Sequence, residues 1–257
     1  MLEAYTLYSG SSGNCIFVRN GSTCILIDAG RSQRAIQTAL SSLGADLDSV
    51  SAIFLTHEHG DHTKGLDVIS KTYKIPVHIT YPSYADLVKA DTPLCECAQV
   101  HDVIYQVECG DLTIKSFPIP HDSAQNVGYI ISNGEFTLGI ATDMGYVTTK
   151  IAEELSKCNK VIIESNHDIE MVKKGPYPKF LKDRILSNHG HLSNEICAKL
   201  CVYLAECGID QITLAHLSRE NNTPDLAYTT SKNALDQAGY NIILRVAGPE
   251  TIVKAIG

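Results

Sequence analysis

Three short runs of β-branched and aromatic residues, at 5–8, 16–18 and 24–27, open the chain, separated by Ser9-Gly10-Ser11-Ser12-Gly13-Asn14 and by Asn20-Gly21. Asn-Gly between two apolar runs predicts a hairpin, because both residues accept the positive φ of a tight turn. After Arg31, apolar residues return at helical spacing at Ile36, Leu40 and Leu43, and Gly44 stands where a helix commonly ends. A buried-strand run at 52–55 then leads into a His-rich segment, which places that segment on a loop at the carboxyl end of a strand. Further strands are predicted at 103–107, 112–116, 127–131, 136–140, 161–163, 212–214 and 242–244, and helices at 151–158, 194–207 and 225–238. The clearest helix is 194–207: Ser193 is its N-cap, Ile196, Leu200, Tyr203, Leu204 and Cys207 share one face, and Gly208 follows. Strands and helices come in blocks rather than in βαβ alternation. That order predicts an α+β fold of two sheets with helices on the outside, not a Rossmann or TIM architecture.

Composition sets the bounds. A length of 257 residues with 44% hydrophobic and 19% charged residues supports a packed core and excludes a disordered chain. No linker, repeat or low-complexity tract interrupts it, so residues 1–257 are expected to form a single domain. No apolar run approaches the ~18 residues of a membrane helix, and the amino terminus lacks the basic and apolar regions of a signal peptide. A cytoplasmic protein with no membrane contact is expected. The nine cysteines form no CxxC framework and are expected to be reduced and mostly buried; Cys95/Cys97 and Cys197/Cys201 each lack further convincing ligands. The formal net charge of −8 argues against a nucleic-acid partner, since duplex binding draws on Lys and Arg. His and bound metal are absent from that sum, however.

The decisive stretch is Thr56-His57-Glu58-His59-Gly60-Asp61-His62. A lone His usually packs as a satisfied buried imidazole, but three His and an Asp between residues 57 and 62 exceed any packing need. In an extended segment His57 and His59 project to the same side, and Asp61 and His62 follow the Gly60 turn, where they can serve a second ion. A single structural zinc needs only four ligands.

H-x-H-x-D-H after a strand resembles the metallo-β-lactamase fold family of dinuclear metal hydrolases. Other segments match the family's motifs in order: Asp28 in Ile25-Leu26-Ile27-Asp28-Ala29-Gly30, His121 in Ile119-Pro120-His121-Asp122, Asp143 in Ala141-Thr142-Asp143-Met144-Gly145 and His216 in Leu214-Ala215-His216-Leu217. The resemblance covers nearly the whole chain and implies an αββα sandwich of two mixed sheets. It also implies a cage for two divalent ions, Zn²⁺ or Mn²⁺: His57, His59 and His121 on one, Asp61, His62 and His216 on the other, Asp143 between them, and Asp28 supporting a ligand from behind. Family members that cleave β-lactams commonly place Cys where Asp143 stands, so this position points to phosphodiester or thioester hydrolysis.

Several segments bear on the substrate. The small polar loop that holds Ser11, Ser12 and Asn14 offers amides and hydroxyls for a phosphate, or is a plain hairpin loop. His191 and Ser193, at the start of the 194–207 helix, can contact a phosphate, with His191 protonating the leaving oxygen; in the blander reading Ser193 only caps the helix. His167 in Glu164-Ser165-Asn166-His167-Asp168 is the rival proton donor, so the catalytic candidates are Asp61, His191 and His167. Family nucleases that process tRNA 3′ ends carry a His-Glu pair near here, from which this chain departs. Lys173, Lys174, Lys179, Lys182 and Arg184, with Tyr177 and Phe180 interleaved, form a cationic strip that is either a solvated face or a backbone contact. His78 and His101 are left without a role.

Taken together the motifs look like the small bacterial branch called YycJ or WalJ, which implies a 5′→3′ exonuclease acting on DNA, with no room for the large insertion of β-CASP nucleases. A glyoxalase-II-like thioester hydrolase, an RNA-processing nuclease of the same fold and a non-catalytic metal-binding module are the alternatives; no protein partner is indicated. The implied cage holds five neutral His and two Asp. Two divalent ions and a hydroxide would leave it slightly positive by charge counting, so an acidic chain is compatible with a phosphate substrate touched at few points.

Overall fold

The computed structural model describes residues 2–90 and 97–256. Cys95 therefore lies outside the described residues. Two seven-stranded mixed sheets are stacked face to face. The first runs in the order β14-β1-β2-β3-β4-β5-β6 and consists of β1 (Glu3–Tyr8), β2 (Cys15–Asn20), β3 (Thr23–Ile27), β4 (Val50–Phe54), β5 (Val77–Thr80), β6 (Ala98–His101) and β14 (Val253–Ile256). The second, β13-β12-β11-β10-β9-β8-β7, consists of β7 (Gln106–Cys109), β8 (Leu112–Ile119), β9 (Asn126–Ser132), β10 (Thr137–Ala141), β11 (Lys160–Glu164), β12 (Gln211–Ala215) and β13 (Ile243–Val246). Helices α1 (Gln33–Ser42), α2 (Gly60–Thr63), α3 (Leu66–Tyr73) and α4 (Tyr81–Lys89) accompany the first sheet in sequence. The second is followed by α5 (Thr149–Leu155), α6 (Ile169–Lys174), α7 (Lys179–Ile185), α8 (Asn194–Glu206) and α9 (Pro224–Gln237).

The period-2 geometry of a strand explains why the central strands read as unbroken apolar runs. In β3, Ile25 and Ile27 join the core between the sheets, with Phe54, Ile114, Tyr129, Ile140 and Ile162. Cys24 and Leu26 turn the other way, into the layer with Ile36 and Leu40 of α1 and Ile69 of α3. In β11, Ile162 faces the inter-sheet core, whereas Val161 and Ile163 pack with Leu155 of α5 and Leu200 and Leu204 of α8. Both faces of each sheet are thus covered, and the αββα layering expected from the sequence is observed.

The hairpin is present with Gly21 at φ 54°, but the turn is Gly21-Ser22 and Asn20 still belongs to β2. The strand expected at 103–107 is corrected: only Gln106 and Val107 are in β7. Before it the backbone leaves the ladder, and the Tyr105 amide donates to the Ser116 hydroxyl at 2.8 Å. Sequence periodicity missed β5, β6, β14, α2, α3, α4, α6 and α7, all nine residues or fewer and too short to establish a period; the His-rich segment expected to be a loop thus carries Asp61 and His62 on α2. Among the described residues no helix is long and apolar enough to cross a membrane.

His78, on β5, stacks on Phe54 at 4.4 Å between ring centroids and bonds through Nδ1 to His101 Nε2 at 2.9 Å. Burial, helped by the neighbouring His101, pushes it from 6.5 down to about 4. A His held neutral in the fold titrates first in the unfolded chain, so its contribution is complete above the unfolded value and is lost as pH falls through 6.5 toward 4. His78→Phe keeps the stack and removes the titration. The loss of thermal stability between pH 7 and pH 5 is expected to be shallower in this variant; parallel profiles for variant and parent would contradict it.

Candidate metal centre

The fold gathers the chemistry at one end, beyond the carboxyl ends of β3, β4, β8, β10, β11 and β12. Asp28 follows β3, Asp143 follows β10 and His216 follows β12, and all three hold the left-handed backbone, at φ 64°, 58° and 55°. Such residues cost of order 1–3 kcal/mol each and persist only where surrounding bonds fix them. Here the Asp28 amide donates to Phe54 O at 3.0 Å, Asn126 Nδ2 to Asp143 O at 2.9 Å, and the His216 amide to Ser9 Oγ at 2.7 Å. Gly30 brings the loop after β3 against the His-rich turn, where a Cβ would lie 1.7 Å from Asp61 O.

Ligand atoms of His57, His59 and His121 lie within 4.8 Å of one another, as do those of Asp61, His62 and His216. Asp143 stands between these sets: Oδ2 is 3.4 Å from His62 Nε2, and Oδ1 is 3.9 Å from His121 Nε2 and 3.5 Å from His216 Nδ1. The back nitrogens of four of the five imidazoles are taken. His62 Nδ1 bonds Asp28 Oδ2 at 2.8 Å, His121 Nδ1 bonds Gly190 O at 3.0 Å and His216 Nδ1 bonds Glu164 Oε1 at 2.8 Å. Thr56 Oγ1 lies 3.0 Å from both His57 Nδ1 and Asp28 Oδ2, so Asp28 orients two imidazoles, one directly and one through Thr56. These partners assign the donor proton to Nδ1 and turn Nε2 inward, the arrangement that metal ligands require. Buried His57 Nε2, His216 Nε2 and Asp143 Oδ2 have no hydrogen-bond partner. Three orphaned acceptors among imidazoles and carboxylates fit divalent cations of the zinc or manganese type.

The cage opens into a cavity of about 230 Å³ whose wall includes Ser11, Asp61, Asn166, Tyr177, Arg184 and His191. Of the proton-donor candidates, His191 reaches this wall, with Nδ1 2.8 Å from Glu164 Oε1. His167 is buried off the wall, and burial pushes it down to about 4. Glu164 is the residue that sequence reasoning passed over: fully buried, it receives His191 and His216 on Oε1, and on Oε2 the amides of Met144 at 2.7 Å and Leu192 at 3.0 Å. Burial alone would raise its carboxyl, but the two imidazoles hold it well below the usual range. The available signal was a carboxylate ending the apolar run of β11.

Among the substrate-contact candidates, Ser11 lines the cavity and Ser12 its outer neighbour. Asn14 is buried, with Nδ2 3.3 Å from Asp61 Oδ2 and 3.0 Å from His62 Nε2, so it braces the cage. Ser193 accepts from the Ile196 amide at 3.3 Å as the N-cap of α8 and does not reach the wall. Lys173 and Lys174 are exposed and pair with Glu170 at 3.1 and 3.3 Å, Lys182 donates to Lys173 O at 2.8 Å, and Lys179 is exposed; none of them lines the cavity. The basic side chain from this segment that does so is Arg184, paired with Asp122.

The family model described as Beta-lactamase superfamily domain matches residues 23–217, a span containing every cage residue. The chain belongs to the β-lactamase superfamily. Within the superfamily it is 35% identical over 245 residues to Exodeoxyribonuclease YycJ of Bacillus anthracis, covering 94% of this chain and 92% of that protein. It is 32% identical over 241 residues to Exodeoxyribonuclease WalJ of Streptococcus pneumoniae serotype 2, covering 92% and 89%. The metallo-β-lactamase fold protein YhfI of Bacillus subtilis superposes with a TM-score of 0.71 at 13% identity, covering 98% of this chain and 99% of that one, a likeness of fold. Superfamily membership and a cage of this composition make the chain a metal-dependent hydrolase.

Proposed function

We propose that the chain is a dinuclear metal-dependent phosphodiesterase that removes nucleotides from DNA in the 5′→3′ direction. The observation that carries this reading is the pair of three-ligand sets meeting at Asp143, in a chain whose YycJ and WalJ relatives, both named exodeoxyribonucleases, align over nine-tenths of it. His57, His59 and His121 would hold one ion, Asp61, His62 and His216 the other, with Asp143 shared. Two such ions, when bound, supply Lewis acidity that makes hydroxide available near neutral pH and offsets the charge of phosphate.

The chain's own groups do the rest. Glu164 occupies His191 Nδ1, which leaves Nε2 to face the cavity and pass a proton to the departing 3′ oxygen. Ser11 offers a hydroxyl to a non-bridging phosphate oxygen, and Tyr177 a ring against which a base can stack. The test is a product ladder from end-labelled DNA with protein stripped and reloaded with Zn²⁺ or Mn²⁺. Chelator-sensitive release of mononucleotides from the 5′ end, with two metal equivalents per chain, is expected; thioester turnover without nucleotide release would overturn the reading.

A further inference from the structure

A second groove of about 690 Å³ lies beside the metal cavity and shares Ser11 and Asp61 with it. Three segments remote in sequence bring cations to its walls: Arg31 from the loop after β3, Lys64 at the end of α2 and Arg219 from the loop after β12. The two guanidiniums converge on one oxygen, with Arg31 Nη1 3.2 Å and Arg219 Nη2 3.5 Å from Glu250 Oε1. Ser12 Oγ lies 3.4 Å from the same Arg31 nitrogen. Lys64 is exposed and makes no ion pair among the described residues.

Arg31 is held in place rather than free at the surface. Its guanidinium lies 4.9 Å from the Tyr8 ring centroid, and its stem is so close to the backbone that a Cβ on Gly13 would lie 2.4 Å from Arg31 Cδ. A fixed guanidinium loses little freedom when it binds, which is what a site for phosphate requires. Glu250 is the opposite: its side chain is 59% exposed and contributes a single carboxylate oxygen to two five-donor forks. An exposed pair of this kind is weak and readily exchanged for a group with more charge and more acceptors.

We infer that Arg31, Arg219 and Lys64 form a phosphate subsite that receives the phosphate next to the scissile one, with Glu250 occupying the place until substrate displaces it. This rests on the nuclease reading above and adds to it the groups that hold the strand. The ligand chemistry is a nucleotide phosphate, whether a terminal 5′-phosphate or an internal phosphodiester.

The test uses the metal-loaded protein and a 3′-fluorescein single-stranded oligodeoxynucleotide carrying either a 5′-phosphate or a 5′-hydroxyl. Arg31→Met, which keeps the stem against Gly13 and Tyr8, and Arg219→Ala are each expected to raise KM about tenfold, as loss of a charge-assisted bond implies. The change in kcat stays within about twofold and the metal content is retained. The slope of log KM against log salt is expected to fall by ~0.7 for each cation removed. Glu250→Gln is expected to lower KM several-fold. A variant effect confined to the 5′-phosphorylated strand supports the terminal phosphate as the ligand, and an equal effect on both strands supports the internal one. Unchanged KM and salt slope in Arg31→Met/Arg219→Ala, in protein that digests the strand, would overturn the subsite and leave the nuclease reading standing. A Glu250→Gln effect in the same direction as the arginine variants would reduce the cluster to a structural tether and also overturn it. If the metal-loaded parent releases no nucleotides, the nuclease reading fails and the subsite falls with it.

Discussion

On the dinuclear reading, Asp143→Asn is expected to lower kcat on DNA by about a thousand-fold, the upper end of what removal of a single oxyanion donor costs, and to reduce bound metal from two equivalents per chain toward one. Asn is the informative replacement because Asp143 sits at φ 58°, a conformation that Asn tolerates and Ala does not. The side chain is 2% exposed and its Oδ2 has no hydrogen-bond partner, so the substitution exchanges a buried negative charge for a neutral amide of the same shape. What is lost is the anion between two clusters of imidazole. Metal analysis by mass spectrometry and unfolding of the metal-loaded protein separate this from misfolding: the metal-free variant should melt close to the metal-free parent, while the stabilisation that metal confers by binding the folded state shrinks. Turnover within tenfold of the parent with two equivalents still bound would overturn the proposed place of Asp143 between two ions.

How much of this centre was legible in the sequence depends on how local each contribution is. His57, His59, Asp61 and His62 stand within six consecutive residues, beyond the end of β4 and in the first turn of α2, so their spacing alone announced a cation site. Asp28, Asp143 and His216 were visible as polar residues ending apolar runs, but their left-handed backbone is imposed by bonds from Phe54, Asn126 and Ser9, which no short motif encodes. Asn14 looked like a phosphate contact because its neighbours are small and polar. Its partner Asp61 is 47 residues away, and only the fold turns the amide inward to it. Ser193 went to the competing local use, since a Ser ahead of a helix satisfies an orphan amide at little cost in freedom. The cationic strip shows the limit of counting charge: of its residues, spread over two short helices and the turn between them, Tyr177 and Arg184 reach the cavity wall and the four lysines do not. The layering was legible for the long buried strands, whose alternate residues feed two cores, and illegible for elements too short to show a period. Arg31, Lys64 and Arg219 were invisible as a group because the loops after β3 and β12 and the end of α2 must meet before they face one groove.

Glu164 belongs to the same class, and its replacement carries the second large effect. Four donors converge on its carboxylate: the Nδ1 groups of His191 and His216 and the amides of Met144 and Leu192. A Gln in this position supplies one oxygen and sets its own NH₂ against at least one of those donors. Glu164→Gln is therefore expected to lower kcat by about a hundred-fold, the lower end of what a positioned proton donor supplies. A purely structural role would lower the melting temperature and leave kcat per folded, metal-loaded chain unchanged. The two imidazoles can be told apart by a double-mutant cycle: in a His191→Ala background the proton-transfer component is already gone, and any further loss from Glu164→Gln reports the hold on His216 and so appears as weaker metal binding. Additive losses in kcat, with metal affinity unchanged throughout, would mean that Glu164 orients neither imidazole for catalysis.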